Sequence, residues 1–235
     1  MGGSAEPPAP PGPTGSAEPP APPGPTGSAE PPARLLAALH VQLEARRALL
    51  DAGARHVGWK LGMGERERIG DGPVIGYLTS ATVLALRGSY SAVRDRDLHA
   101  DAELALELGT DGQIVGYGAA LELVDLGGSD DPQEIVSANV FHRAVVFGPV
   151  VAPAAAGPAQ GSLLVNGELR AQAIGRRSYE ELVVHVARLL ASVGEALRPG
   201  DRLITGSIVQ VPVRIGDHVV ADLGPLGRAE AWVVS

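Results

Sequence analysis

The chain of 235 residues has no cysteine, and aromatic side chains make up only 3% of it: two Phe, two Trp and four Tyr. Without cysteine there is neither a disulfide framework nor a thiolate metal site, so any metal chemistry must rest on oxygen or imidazole. No run of 18 apolar residues occurs, and the first residues show no basic segment leading into an apolar stretch. A membrane span and a secretory signal are therefore not expected, and the expected location is the cytoplasm. Basic runs and basic patches interleaved with aromatics are also missing, which argues against nucleic acid as a partner. The formal charge is −8; Glu6, Glu18 and Glu30 lie near the N-terminus, leaving −5 on the rest.

The scarcest charged group is the ammonium. Eighteen of the 19 basic residues are arginine, and the one lysine, Lys60, sits in Val57-Gly58-Trp59-Lys60-Leu61-Gly62. Lysine is a compact point charge whose pKa moves on burial, whereas arginine stays protonated and fork-shaped. An unpaired ammonium in an apolar strand is costly, so the flanking residues mark Lys60 as a chemical requirement; the alternative is drift of one arginine codon on a surface strand.

Residues 4–15 read SAEPPAPPGPTG, residues 16–27 repeat them, and residues 28–33 begin a third copy. With no large apolar side chain, this stretch cannot offset its ordering entropy. Residues 1–33 are expected to be a disordered, polyproline-type tail, and residues 34–235 a single domain, long enough for one good core.

Leucines from Leu35 to Leu50 recur at helical spacing, with Gly53 as a stop. Short apolar runs broken by glycine between Val57 and Val151 predict strands and turns. Asn166-Gly167 is a hairpin signal, and Ser178-Tyr179-Glu180-Glu181 forms a capping box opening a helix to about Leu197. Strands are expected at 202–205, 208–215, 218–222 and 228–234. The sum is an α+β fold with a mixed, mainly antiparallel sheet and a few flanking helices.

Residues 101–108 (DAELALEL) alternate strictly. As a strand they place Asp101, Glu103, Ala105 and Glu107 on one face and Ala102, Leu104, Leu106 and Leu108 on the other. Same-face neighbours are about 7 Å apart at the backbone, so their side chains can converge. Glu122 is the one charge in the apolar run from Ile114 to Val124. Two carboxylates about 4 Å apart repel by roughly 4 kcal/mol at an effective dielectric of 20. Three held together want a proton or a cation, and an all-oxygen set favours Mg²⁺ or Mn²⁺ over zinc. The same alternation fits a solvated strand whose acids face water, and spacing alone leaves both open. His99 shares the Asp101 face, while His142 and His185 read as structural. Thr205-Gly206-Ser207 joins two strands and fits either an anion-binding turn or a plain one.

Four blocks in order, Gly58-Trp59-Lys60-Leu61-Gly62-Met63, Asp101-Ala102-Glu103-Leu104-Ala105, Ala120-Leu121-Glu122-Leu123-Val124-Asp125 and Leu203-Ile204-Thr205-Gly206-Ser207, resemble the 2-keto-4-pentenoate hydratase family. That family includes the 4-oxalocrotonate decarboxylases and belongs to the fumarylacetoacetate hydrolase superfamily. The resemblance implies a divalent metal, Mg²⁺ or Mn²⁺, held by Asp101, Glu103 and Glu122, with Lys60 as the active-site lysine. It puts Thr205, Gly206 and Ser207 forward as substrate-binding residues, a small 2-oxo acid as substrate, and a homo-oligomer as the assembly. The implied reaction is water addition to a 2-hydroxy-2,4-dienoate, giving a 4-hydroxy-2-oxo acid. Decarboxylation of a 2-oxo-enedioate, another enolisable substrate, or a non-catalytic partner of an active homologue are the alternatives. Two departures stand out: Asp101 replaces the usual Glu, and the acid expected near Gly76–Ser80 is missing.

Overall fold

The computed structural model describes residues 33–62, 74–152, 159–175 and 178–235. The tail repeats and Met63 lie outside the described residues. Helix α1 (Ala33–Asp51) is followed by β1 (His56–Gly62), β2 (Val74–Thr79), β3 (Val83–Leu84), β4 (Gly88–Ser91), β5 (Leu98–Leu108) and β6 (Ile114–Asp125). Then come α2 (Pro132–Ser137), β7 (His142–Phe147), β8 (Gln160–Val165), β9 (Glu168–Ile174) and α3 (Tyr179–Ser192). Strands β10 (Arg202–Ile204), β11 (Val209–Pro212), β12 (His218–Asp222) and β13 (Arg228–Val234) complete the chain. The expected α+β class with a mixed, mainly antiparallel sheet is observed.

One sheet runs β2-β1-β10-β5-β6-β7-β3, with β11 also pairing β5; the other runs β4-β13-β12-β8-β9. Two details depart from the sequence-based expectations. The last helix stops at Ser192 rather than near Leu197, because Gly194 enters the left-handed region at φ 74°. The short helix α2 interrupts a stretch read as strands only; Asp131 caps it, its carboxylate accepting the Gln133 amide at 2.8 Å, with Pro132 in the first turn. The Asn166-Gly167 hairpin forms as expected, with both residues at positive φ.

Alternation along β5 is decisive. Ala102, Leu104 and Leu106 are fully buried in the main core, where they join Trp59, Leu121, Leu123 and Leu203. Their neighbours therefore point to the other face. That face is curved: β1 and β6 are separated by β10 and β5, about 14 Å in a flat sheet, yet Lys60 and Glu122 meet across it at 2.5 Å. The roll is drawn together by β3, which pairs in parallel with β7. The Asn139 side chain adds to this, bonding the backbone N–H and C=O of Tyr77 at 2.8 and 3.1 Å. Inside the roll Leu78, Ala105, Ala120, Val145 and Ile204 form a separate small apolar cluster, with Val57, Val83 and Phe147 against it.

Behind β1, the Arg46 guanidinium lies 4.7 Å from the Trp59 ring and pairs with Glu195 at 3.1 Å and with His56 at 3.1 Å. His56 in turn bonds Asp201 at 2.8 Å. These contacts hold Trp59 to the rear, so that Lys60, one residue on, projects into the roll. Gly58 permits the close parallel approach of β1 to β10: its φ is 150°, and a Cβ there would lie 1.9 Å from the Arg202 carbonyl oxygen.

Candidate metal centre

Asp101 and Glu103 project from β5, and Glu122 from β6 directly opposite Asp101 in the ladder. One oxygen of each lies within 4.8 Å of the others, and all three residues are buried. The solvated-face alternative is thereby excluded for these three acids. Glu107, on the same face, sits at the roll's end, 36% exposed and 3.8 Å from Arg202.

Lys60 Nζ donates to Glu122 Oε1 and, at 2.9 Å, to the Val140 carbonyl. Its charge is paired and its side chain is 3% exposed, which removes the surface-drift explanation. Space for it is made by Gly76, opposite Lys60 in the β1–β2 ladder. A Cβ at Gly76 would stand 2.7 Å from Lys60 Cγ and 2.7 Å from Asn139 Oδ1. The Val140 carbonyl is aimed by an unusual turn: Asn139, Val140 and Phe141 have φ of 64°, 52° and 63°. Left-handed backbone costs about 1–2 kcal/mol for each non-glycine residue. Three in a row, aiming the carbonyl to which Lys60 donates, mark strain held by the surroundings.

His142 completes the arrangement. Its Nδ1 lies 2.7 Å from Glu122 Oε1 and its Nε2 lies 2.9 Å from Thr82 Oγ1. An ionised carboxylate only accepts, so Nδ1 carries the proton and Nε2 accepts from the threonine hydroxyl. Sequence reading took His142 as structural; nothing in Phe141-His142-Arg143 reveals that the ring turns back onto a carboxylate twenty residues earlier.

The electrostatics separate the three acids. Burial and the nearby Glu122 charge raise Asp101 to about 7. Burial, then Glu122 and Asp101, hold Glu103 well above the carboxylate range. Burial would raise Glu122 too, but the Lys60 ammonium and the His142 hydrogen bond prevail and bring it to about 2. Burial lowers His142, against the pull of Glu122, keeping the ring neutral.

The expected substrate-binding turn abuts the acids. The Gly206 amide donates to Glu103 Oε2 at 2.7 Å and the Ser207 hydroxyl to Asp101 Oδ1 at 3.0 Å. Thr205 is buried, its amide donating to the Leu104 carbonyl at 3.1 Å. His99 pairs instead with Asp97 at 3.0 Å.

A divalent cation fits this donor set. With all three acids ionised, three carboxylates and one ammonium leave two negative charges in a buried site, the amount one such ion neutralises. Oxygen-only ligands suit a hard cation.

The rolled mixed sheet is a fold shared with known proteins. Residues 60–234 match the family model described as fumarylacetoacetate (FAA) hydrolase C-terminal, and the chain belongs to that family. None of the curated proteins searched matches the chain. Among solved structures it is similar to 4-oxalocrotonate decarboxylase from Pseudomonas putida G7, complexed with magnesium and adipate. The TM-score there is 0.76 at 22% identity, covering 85% of this chain and 86% of that one. It is also similar to fumarylpyruvate hydrolase from Pseudomonas aeruginosa in complex with Mn²⁺ and pyruvate, with TM-score 0.56, 20% identity and coverage of 77% and 89%. A third is 5-carboxymethyl-2-hydroxymuconate delta-isomerase from Mycobacterium smegmatis, with TM-score 0.55, 20% identity and coverage of 77% and 79%.

Proposed function

We propose that this protein is a metal-dependent lyase acting on a small 2-oxo acid or its 2-hydroxydienoate tautomer, with water addition as the reaction. The carrying observation is the inward trio Asp101, Glu103 and Glu122 with Lys60 on Glu122. Asp101, Glu103 and Glu122 would hold Mg²⁺ or Mn²⁺, which when bound supplies Lewis acidity to a 2-oxo acid. The solved relatives named with Mg²⁺ and Mn²⁺ carry carboxylic acids, adipate and pyruvate, alongside the ion.

Each protein group then has a task. Lys60 offsets the charge of Glu122 and stands ready to steady an enolate or relay a proton to it. His142 fixes the orientation of Glu122 from behind, as carboxylate-bound imidazoles do around metal ligands. The Gly206 amide and Ser207 hydroxyl hold Glu103 and Asp101 in the ion-free protein, and the Thr205–Ser207 turn is the segment we assign to the substrate carboxylate. Ser207 is half-buried, and its hydroxyl holds Asp101. The wall of Leu78, Ala105, Ala120, Val145 and Ile204 excludes water elsewhere and suits the hydrocarbon part of a dienoate.

A second reading, decarboxylation of a 2-oxo-enedioate, draws on one observation. β2 (VIGYLT) brings no acid to the roll where a water-activating one is expected, and its lumen side is Gly76 and apolar Leu78. The test is loss of a 2-hydroxydienoate ultraviolet chromophore with and without Mg²⁺ or Mn²⁺, followed by product analysis. A 4-hydroxy-2-oxo acid establishes hydration, released CO₂ establishes decarboxylation, and no metal-stimulated turnover on either substrate type refutes the lyase.

A further inference from the structure

The rear of the sheet carries a second buried charge cluster, on the side of β1 away from Lys60. Arg46 on α1 is 2% exposed, and its two terminal nitrogens reach Glu195 at 3.1 Å and His56 Nδ1 at 3.1 Å. A guanidinium only donates, so Nδ1 is the acceptor and His56 Nε2 carries the proton. That proton goes to Asp201 Oδ1 at 2.8 Å. Asp201 is itself fixed: Oδ2 accepts the Arg198 amide at 2.9 Å, and its carbonyl accepts the Leu108 amide at 2.9 Å. One imidazole in a single tautomer thus ties the first residue of β1 to the residue before β10.

Stability alone does not account for this cluster. Arg46 Nε and the Nε1–H of Trp59, under the guanidinium, are buried without a partner among the described residues. Apolar side chains often replace such buried charges without loss of stability, and the role left to the charges is to impose one arrangement. The backbone sets that arrangement weakly here. β1 and β10 share a parallel ladder of three residue pairs, Gly58–Arg202, Trp59–Leu203 and Lys60–Ile204. On its other side, the register of β1 against β2 shifts between His56 and Gly58. Both strands lead into the candidate site: β1 carries Lys60, and β10 runs into the turn whose Gly206 and Ser207 hold Glu103 and Asp101. A slip of one residue moves a strand by about 3.3 Å, enough to part Lys60 from Glu122.

We infer that His56, with Arg46 on one ring nitrogen and Asp201 on the other, is a positioning residue that sets Lys60 on β1 against the Thr205–Ser207 turn after β10. That this spacing serves a bound substrate rests on the lyase reading above; the placement of Lys60 does not. The imidazole acts by accepting on one side and donating on the other. Leucine does neither, whereas the amide of glutamine does both.

Lys60 is the one lysine of the chain, so isotopic labelling of lysine gives a single side-chain ammonium resonance in the full-length protein. The test compares that resonance, with and without Mg²⁺, in the unaltered protein, H56L, D201A and H56Q. H56L and D201A should shift and broaden it as the ammonium leaves Glu122 and meets water, and H56Q should bring it back. Metal-stimulated turnover of a 2-hydroxydienoate should fall about 100-fold in the first two and recover in H56Q. V186A, a core substitution on α3 chosen for a comparable loss of Tm, should leave the resonance in place. An unmoved resonance in H56L and D201A overturns the assignment, and so does an equal displacement in V186A, which would mean general loosening. Should H56L not fold, D201A and the glutamine rescue decide the question. A displaced resonance in H56L and D201A, with no metal-stimulated turnover even in the unaltered protein, refutes the lyase reading and upholds the placement of Lys60.

Discussion

Removing the divalent ion should invert the usual dependence of stability on pH. In the ion-free protein Asp101 holds its proton up to about pH 7, and burial beside Glu122 and Asp101 holds the Glu103 proton well above the ordinary carboxylate range, whereas the unfolded chain releases both near pH 4. The folded state therefore binds more protons than the unfolded state, and stability falls as pH rises through this window. Each pH unit over which one such proton is retained costs about 1.4 kcal/mol. Between pH 6 and 8 Asp101 alone costs about 1.4 kcal/mol, roughly 4 °C in Tm for a domain near 200 residues, and Glu103 adds to the decline in the same sense. His142 works in the opposite sense below its ordinary value of 6.5, because the unfolded imidazole takes up a proton that the buried ring refuses; over this window it offsets less than one acid. The depressed Glu122 titrates far below the window and does not enter. The assay is calorimetric unfolding in chelator at pH 6, 7 and 8, repeated with saturating Mg²⁺ or Mn²⁺. The ion displaces both protons, so the loaded protein should lose this decline and gain most from metal at pH 8. A chelated protein whose Tm is flat or rises from pH 6 to 8 refutes the convergence of the acids.

Substitutions at four positions probe the remaining parts. E103Q should abolish turnover and the metal-induced rise in Tm while flattening the ion-free pH profile, since the amide has no proton to lose; retained metal response removes Glu103 from the site. K60M leaves Glu122 buried without its ammonium and should cost about 3–5 kcal/mol at pH 8, measured by urea unfolding, while K60R keeps the charge but not the fit and should lose turnover severely. H142A should weaken Mg²⁺ affinity about 10- to 100-fold, read by calorimetric titration, with unaltered affinity showing that the ring does not position Glu122. G76A drives a methyl group into Lys60 Cγ and Asn139 Oδ1, each 2.7 Å from its Cβ position. A loss of about 1–3 kcal/mol is expected along with reduced turnover, and a wild-type unfolding curve would show that Lys60 is not confined there.

What could be read from the sequence was what repeats locally. Strict alternation over residues 101–108 placed Asp101 and Glu103 on one strand face, and a single charge in an apolar run isolated Glu122. Neither pattern carries the curvature that turns that face inward. The curl comes from pairings between β3 and β7 and between Asn139 and Tyr77, contacts between residues about sixty positions apart. The helix over residues 33–51 was legible because leucines recur along it, although its buried face also carries Gln42 and Arg46. The end of the last helix was misread because the Pro199-Gly200 signal is the more conspicuous one, while Gly194 alone, five residues earlier, supplies the left-handed turn. His142, Thr82 and the Val140 carbonyl left no pattern, since their roles depend on one strained turn.

That turn shows why the centre needs more than three acids. Two donors, Lys60 Nζ and His142 Nδ1, converge on the same oxygen of Glu122, and both are placed by the Asn139–Phe141 segment: one through the Val140 carbonyl, the other by being the next residue in the chain. Asn139 anchors the segment by completing the backbone bonds of Tyr77 on β2, the strand whose Gly76 makes room for Lys60. Asn139→Ala should therefore free the turn to relax, retract the Val140 carbonyl and disturb lysine and histidine together. Because they share one support, the losses in N139A and H142A should be markedly non-additive in a double-mutant cycle on metal affinity, with coupling of about 1–2 kcal/mol. Strict additivity would mean that the two donors are held independently and that the left-handed turn does not serve the metal site.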